Sequence, residues 1–472
     1  MSTAIVWLRR DLRVHDHPAL VAALAAHERV VPAFVLDPVL LSGRFASAPR
    51  TAFMLGCLRE LDGALHERGS GLVVRHGAAE RELPALALEA SADAVYWASD
   101  ATPYALARDR RVRAALQQDG VAAVPGPGNF VADVGKPRTG SGKPFVVFTP
   151  FQRAWGALER RPVHRAPMRL PALPPALRRG ALPTLAQLGV CTEDTLPAPA
   201  VAPGETAARE RLAHWLAGDI AAYGDRHDRL AGGTSQLSAH LRFGTLSARE
   251  VEERARRRGG AGAAAFVRQL AWRDFYAHVL LHHPHNRLLE HQPRMRALDW
   301  DDDPALLAAW QAGRTGYPLV DAGMRQLRAS GWMHNRARLV VGSFLTKDLQ
   351  LDWRAGEAWF MRWLLDGDVA QNNGNWQWIA SVGVDPAPAF RRLLNPALQQ
   401  RRHDSDGAYV RRWVPELRNV PDARLTEPWR MSAAEQAAAG CTIGHDYPAP
   451  VVDHAQERRR ALERYRAAAS AS

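Results

Sequence analysis

The stretch WMHNRARLVVGSFLTKDLQLDWRAGEAWFMRWLLDGDVAQNNGNWQW, residues Trp332–Trp378, is the segment around which the rest of the chain is arranged. It joins an Arg/Asn/His cluster, a pair of helical patterns, an Asp-Gly-Asp turn and a run of indoles. Met333, Ala337, Val341, Phe344, Leu345 and Leu349 recur at helical spacing and predict a core-facing side, while Asn335 and Arg338, three apart, share another face aimed at a ligand. A Trp-rich buried bundle with a solvated polar face accounts for any one of these residues, but not for the combination.

The 472 residues are enough for two or three domains, and 47% hydrophobic with 23% charged is an ordinary globular balance. The formal net charge of +12 favours a polyanionic partner. Nearly all the positive charge is arginine, since only Lys136, Lys143 and Lys347 are lysines. Guanidinium suits bidentate phosphate contacts, so the charge supports nucleic acid without proving it. Cys57, Cys191 and Cys441 lie far apart, which argues against a disulfide framework or a cysteine metal site and fits a reducing cytoplasm. The short apolar run Ala4–Leu8 meets Arg9 and Arg10 at once, and no later run is long enough to cross a bilayer. A soluble cytoplasmic protein is the expectation.

In chain order, short apolar runs at Ala4–Leu8, Val30–Leu36, Leu72–Val74, Ala94–Trp97 and Val121–Val124 alternate with helical patterns such as Thr51–Glu67 and Ala105–Gln118. This predicts a parallel, Rossmann-like α/β sheet with crossover helices over residues 1–130. No Gly-x-Gly-x-x-Gly follows the first strand. The opening IVWLRRDLRVHDHPAL instead puts Arg9, Arg10, Asp11, Arg13, Asp16 and His17 beyond a strand end, where a salt-bridged loop is the plain reading. A connector spans 131–204. In it GSGKPFVVFTPFQRAWGALE reads as a turn, a strand-like piece and a helix, and nine prolines between Pro162 and Pro203 exclude continuous helix or central strand. Residues 205–430 read as almost entirely helical, and 431–472 as an Ala/Arg/Glu-rich tail.

Within the helical part, Gly232, Gly233, Thr234, Ser235 and Ser238 stand at an expected helix start, which suits a pyrophosphate or a plain N-cap. FVRQLAWRDFYAHVLLHHPH spaces Phe266, Gln269, Arg273 and Tyr276 over neighbouring helix faces with Trp272 among them. His278, His282 and His283 are loosely spaced with no nearby cysteine, so no metal site is expected of them.

These residues carry a resemblance to the photolyase/cryptochrome family, most closely to microbial DNA photolyases that act on cyclobutane pyrimidine dimers. Four blocks carry it: the opening, GTSQLS, TGYPLVDAGMRQLRASGWMHNRARLVVGSFLTKDL and DGDVAQNNGNWQW. The resemblance spans nearly the whole chain and implies an α/β domain joined to a mostly α-helical C-terminal domain that holds FAD. It assigns Tyr223, Thr234, Ser235, Gln236, Leu237, Ser238, Phe266, Arg273, Arg338, Asp366, Gly367 and Asp368 to the cofactor. It assigns Asn372 to the flavin's reactive edge, and Trp376, Trp353 and Trp300 to an electron-hopping chain. His227, Gln269, Trp272, Tyr276, Asn335, Arg336 and Gln399 match positions that contact the lesion or its DNA.

The implied reaction is light-driven: excited reduced FAD lends an electron to a flipped-out dimer, whose cyclobutane bonds open before the electron returns. UV-damaged DNA is the implied partner and a monomer the implied state. Gln269 and Leu339 depart from the dimer-repair pattern, where Glu and Met are frequent, whereas Asn335 and the Asn372-Asn373 pair follow it. A (6-4) photolyase, a cryptochrome-like blue-light photoreceptor and a light-independent DNA-binding flavoprotein are the alternatives. A second, antenna chromophore is a family habit. In DATPYALARD, Ala105 stands near the acidic position of folate-binding members, so a deazaflavin, another flavin or no antenna is expected rather than folate.

Overall fold

The computed structural model describes residues 2–190, 196–385 and 389–470. The first domain is a five-stranded parallel sheet of β1 (Thr3–Leu8), β2 (Arg29–Leu36), β3 (Val73–His76), β4 (Ala94–Ala98) and β5 (Ala122–Gly126), in the order β3-β2-β1-β4-β5. The inner strands β1, β2 and β4 read as short apolar runs because helices cover both faces of the sheet there. Along β1, Ala4, Val6 and Leu8 pack with Phe53, Leu58 and Leu61 on one side, while Ile5 and Trp7 pack with Leu83, Leu86 and Val112 on the other. The strand order reverses between β1 and β4, and the crevice beyond their C-terminal ends is lined by Arg9, Arg10, Ala98, Ser99, Asp100, Asn129, Phe130 and Arg273.

The expected strand at the end of GSGKPFVVF does not form. Phe148 instead opens the helix Phe148–Ala157, and this helix packs with Leu212, Trp215 and Phe275 of the helical part. The apolar residues are consumed by aromatic packing: Phe145 donates its amide to His278 (3.0 Å), and Phe148 stacks on Trp272 with centroids 3.7 Å apart. Beyond it, the described residues of 158–204 form no helix or strand and run along the first domain, where the Val74 amide donates to the Arg179 carbonyl (2.6 Å).

From Glu205 onward the chain is helical. The predicted apolar stripe Met333, Ala337, Val341, Phe344, Leu345 and Leu349 is buried throughout. Its helix Asn335–Ser343 widens at Phe344–Asp348 into a π-turn, a feature that often lies beside functional sites. The segment read as a tail is integral to this core. Cys441, Tyr447, Tyr465 and Ala468 are buried in the same cluster as Trp353 and Trp376, because the helix His454–Ser470 lays its apolar residues on the π-turn. Cys57 and Cys441 are free and buried, and Cys191 lies outside the described residues. No helix among the described residues is long and apolar enough to cross a membrane.

Candidate active site

The domains meet where Leu12 donates to the Phe243 carbonyl (3.2 Å) and Arg13 to that of Gly244 (2.9 Å). Gly244 has φ +66, and a Cβ there would stand 2.0 Å from the Arg10 carbonyl oxygen, so only glycine fits this approach. Close by, a cavity opens to solvent between the rim and the core of the helical part. Asn335, Arg338, Asp366, Gly367, Asp368, Asn372 and Trp376 of the sequence-assigned set line it, together with Leu339, Phe360, Gln371 and Asn375.

Its rim is ionic. Arg338 grips Asp366 with both terminal nitrogens (3.2 and 2.8 Å) and donates Nε to the Met333 carbonyl (2.9 Å). Asp368 caps the helix Val369–Ile379 by accepting from the Gln371 amide (3.0 Å) and pairs with Arg10 of the α/β domain. Burial pushes the Asp368 carboxyl up, but Arg10 and Arg242 outweigh it and hold the group below the usual carboxylate range. Burial and neighbouring Arg10 push Arg242 down to about 9, and burial pushes Arg50 down to about 10. Positive charge is therefore crowded at this edge. Arg242 also donates to the Gly367 carbonyl (2.8 Å), which ties the helix Ser238–Phe243 to the rim.

The opposite wall is aromatic and tight. Trp376 packs edge-on to Phe360 (5.0 Å) and Trp310 (6.2 Å). A Cβ at Gly356 would stand 2.1 Å from its ring, so Gly356 makes the room the indole needs. Asn372 is held by donation to the Glu357 carbonyl (2.9 Å), and Asn373 donates to the Glu357 carboxylate (3.0 Å). Trp353 opens the helix Trp353–Trp363 one turn before Gly356, fully buried, and donates Nε1 to Glu290 (3.1 Å). Trp300 is half-buried against the same core, beside the bridge between Asp301 and Leu351 that brings it to the Trp353 end. The three indoles thus run from cavity wall through core toward surface.

The remaining assigned residues fall into three groups outside the cavity lining. Tyr223 packs edge-on against Phe266 (5.5 Å) and near His227 (5.3 Å). Thr234, Ser235 and Gln236 are half-buried, Leu237 is buried, Gln236 takes φ +53 and accepts from Arg211, and the buried Ser238 Oγ has no hydrogen-bond partner. On the helix Gly260–His282, Gln269 is exposed, Trp272 has one face covered by Phe148, and Tyr276 lies against Gly374 of the cavity helix. Arg273 donates to the carbonyls of Asn129 (2.8 Å) and Leu241 (3.2 Å) and faces the β1/β4 crevice. Near the exposed Asn335, Arg336 pairs with Asp228 beside His227; Leu230 donates to the His403 carbonyl (3.2 Å), on the helix that carries Gln399.

Sequence reasoning missed Arg50, Arg242, Phe148 and Glu290 and read Arg10 as part of a solvated loop. Only the density of arginine after β1 hinted at Arg10. His278 is satisfied on both nitrogens, by the Val134 carbonyl (2.7 Å) and the Phe145 amide (3.0 Å).

Family models described as "DNA photolyase" and "FAD binding domain of DNA photolyase" match residues 4–172 and 266–467. The chain is 44% identical over 469 residues to the deoxyribodipyrimidine photo-lyase of Streptomyces griseus, covering 98% of each. The chain belongs to the DNA photolyase family.

Among solved photolyases, the bacterial class III photolyase of Agrobacterium tumefaciens aligns with a TM-score of 0.93 at 35% identity, covering 100% of this chain and 98% of that one. A cryptochrome of Synechocystis aligns at 0.89 with 29% identity, covering 98% and 99%. Membership brings FAD as the cofactor, and the donor set fits it. Crowded arginines at the rim and the unpartnered Ser238 hydroxyl suit a pyrophosphate, and the apolar wall of Trp376, Phe360 and Ile379 suits a planar ring.

Proposed function

We propose that the protein is a light-driven lyase that splits cyclobutane pyrimidine dimers in DNA. The observation that carries this is the gathering of Asn335, Arg338, Asp366, Asp368, Asn372 and Trp376 around one cavity, with Trp353 and Trp300 behind it. Bound reduced FAD supplies, on excitation, an electron that the dimer returns after its ring opens. The chain's own residues bind, position and shield. Arg338 and Asp366 fix each other at the rim, while Asp368, locked by Arg10, stiffens the start of the helix that carries Asn372. Asn372, anchored on the Glu357 carbonyl, presents an amide to the cavity. Trp376, Trp353 and Trp300 form the relay that refills the oxidised cofactor from the surface.

Photolyases extrude the damaged bases from the duplex, and a dimer's weakened pairing lowers that penalty. Asn335, Arg336, His227, Gln269, Trp272, Tyr276 and Gln399 form the lesion and DNA surface in this reading, with the partly exposed Trp272 as the aromatic group for stacking. Arginine contacts to phosphate make the affinity fall with added salt. The protein acts as a monomer on UV-damaged DNA in the cytoplasm, nucleoid-associated when bound. An antenna, where present, is a deazaflavin or flavin in the first domain, not folate.

The test is repair of a short DNA with one defined cyclobutane thymine dimer by the reduced protein, in blue light and in matched darkness. Light-dependent loss of the dimer is expected. No loss in either condition, with FAD bound and photoreducible, overturns the reading in favour of a (6-4) substrate or signalling. The exposed Gln269 is the residue that favours this second reading, and Gln269→Glu then measures its effect on the repair rate.

A further inference from the structure

The segment HPHNRLLEH, residues His283–His291, follows the helix Gly260–His282, turns through the 3-10 element Pro284–Arg287 and comes back on itself. The reversal brings His283, His285 and His291 together, each with a ring nitrogen within 4.8 Å of the others. His283 and His291 stand edge-on at 4.8 Å between centroids, and His283 and His285 at 5.9 Å. This trio differs from the His278, His282 and His283 run visible in the sequence: His282 accepts from Arg138 (2.8 Å) and His278 is saturated.

Two further features point to a ligand. The buried Nε2 of His283 has no hydrogen-bond partner, an unfavourable state unless something binds it. His291 donates Nδ1 to the Asn286 side-chain oxygen (3.3 Å), which leaves Nε2 as a bare lone pair, the outer hydrogen bond typical of metal-ligating histidines. A tetrahedral ion at about 2.0–2.1 Å from each nitrogen needs donors roughly 3.4 Å apart. The three nitrogens lie within 4.8 Å of one another, and the exposed His285 is the ring least held by packing. Glu290 is engaged elsewhere, by Trp353 (3.1 Å) and Arg354 (2.8 Å), so water completes the shell.

We propose that His283, His285 and His291 form a three-imidazole site for a divalent transition-metal ion of the Zn²⁺, Ni²⁺ or Cu²⁺ class. The ion braces the loop that supports the tryptophan relay. The His291 amide donates to Gln377 (2.9 Å), and Gln377 donates to the carbonyls of Asn286 (2.7 Å) and Leu289 (2.9 Å), so ligation tightens the contact between Glu290 and Trp353 and the helix of Trp376. Imidazole donors without carboxylate or thiolate select this class of ion.

Calorimetric titration of the chelator-treated full chain with Zn²⁺ tests the site, with His285→Ala, His291→Ala and His282→Ala as variants. One ion per chain is expected, with affinity reduced at least tenfold in His285→Ala and His291→Ala and unchanged in His282→Ala. The melting temperature should rise with Zn²⁺ concentration in the parent and not in His285→Ala. Melts without metal check that each variant folds, and His285→Ala, at an exposed position, decides the outcome should His291→Ala fail. Absence of saturable binding, or binding equally strong in His285→Ala, overturns the proposal.

Discussion

The two sides of the cavity are built on opposite principles. The rim is a set of charges drawn from both domains: Arg10 reaches Asp368 over 358 positions of sequence, and Arg242 and Arg50 crowd beside it. The wall is a set of rings packed without slack, where a Cβ at Gly356 would stand 2.1 Å from the Trp376 ring. Charges act over several ångströms and tolerate small displacements, whereas an indole in a close-packed core does not. In the proposed function the rim would therefore govern how firmly the cofactor is held, and the wall how fast an electron arrives.

Four changes break or sharpen that contrast. Gly356→Val drives a side chain into the Trp376 ring and should destabilise the protein by about 3 kcal/mol, read as a lowered melting temperature together with lost photoreduction. An unchanged melt would mean that the wall has slack. Arg10→Ala strips Asp368 of its strongest partner and should remove about 2 kcal/mol and weaken FAD binding, while the indoles stay in place. Since the Asp368 carboxyl is held below its ordinary range, its contribution is present above that range and lost as pH falls through the folded value. In Arg10→Ala the acid-unfolding limb should accordingly shift to higher pH, which pH-dependent melts will read.

Trp353→Phe addresses the wall alone. It should slow light-driven reduction of the oxidised cofactor at least about tenfold, equivalent to ~1.4 kcal/mol of barrier, and leave FAD retention intact. Equal rates would remove Trp353 from the relay. Smallest is Lys347→Met, behind the wall. Burial pushes Lys347 down to about 7, and its ammonium donates to the Ile379 carbonyl. The unfolded chain binds this proton more tightly, so the parent gains stability as pH rises from about 7 toward the ordinary lysine value. The variant should be more stable by about 1 kcal/mol near pH 6, with the gain shrinking as pH rises.

Much of the wall was legible because its signals are local. Met333 to Leu349 at helical spacing announced a buried helix, and Asn372, Trp376 and the Asp-Gly-Asp turn sit within eleven residues of one another. The same pattern cannot announce the π-turn at Phe344–Asp348, since one inserted residue leaves the apolar spacing almost unchanged. The rim was legible by half: Arg338, Asp366 and Asp368 were marked, but Arg10 looked like one more charge on a loop. Phe145–Phe148 misled for a related reason. Its composition suits a strand, yet it pairs with no strand among the described residues, and partners on the Gly260–His282 helix take it instead.

Periodicity was enough to establish the alternating α/β half and the helical half, while short motifs carried the resemblance that gave the family and marked the principal residues of the cavity, because each of those signals lies among neighbours a few positions apart. Tertiary structure alone placed Arg10 on Asp368, Phe148 on Trp272, Glu290 under Trp353 and three histidines around one point. These contacts join separate elements or close a loop upon itself, and they exist only once packing has decided which surfaces meet.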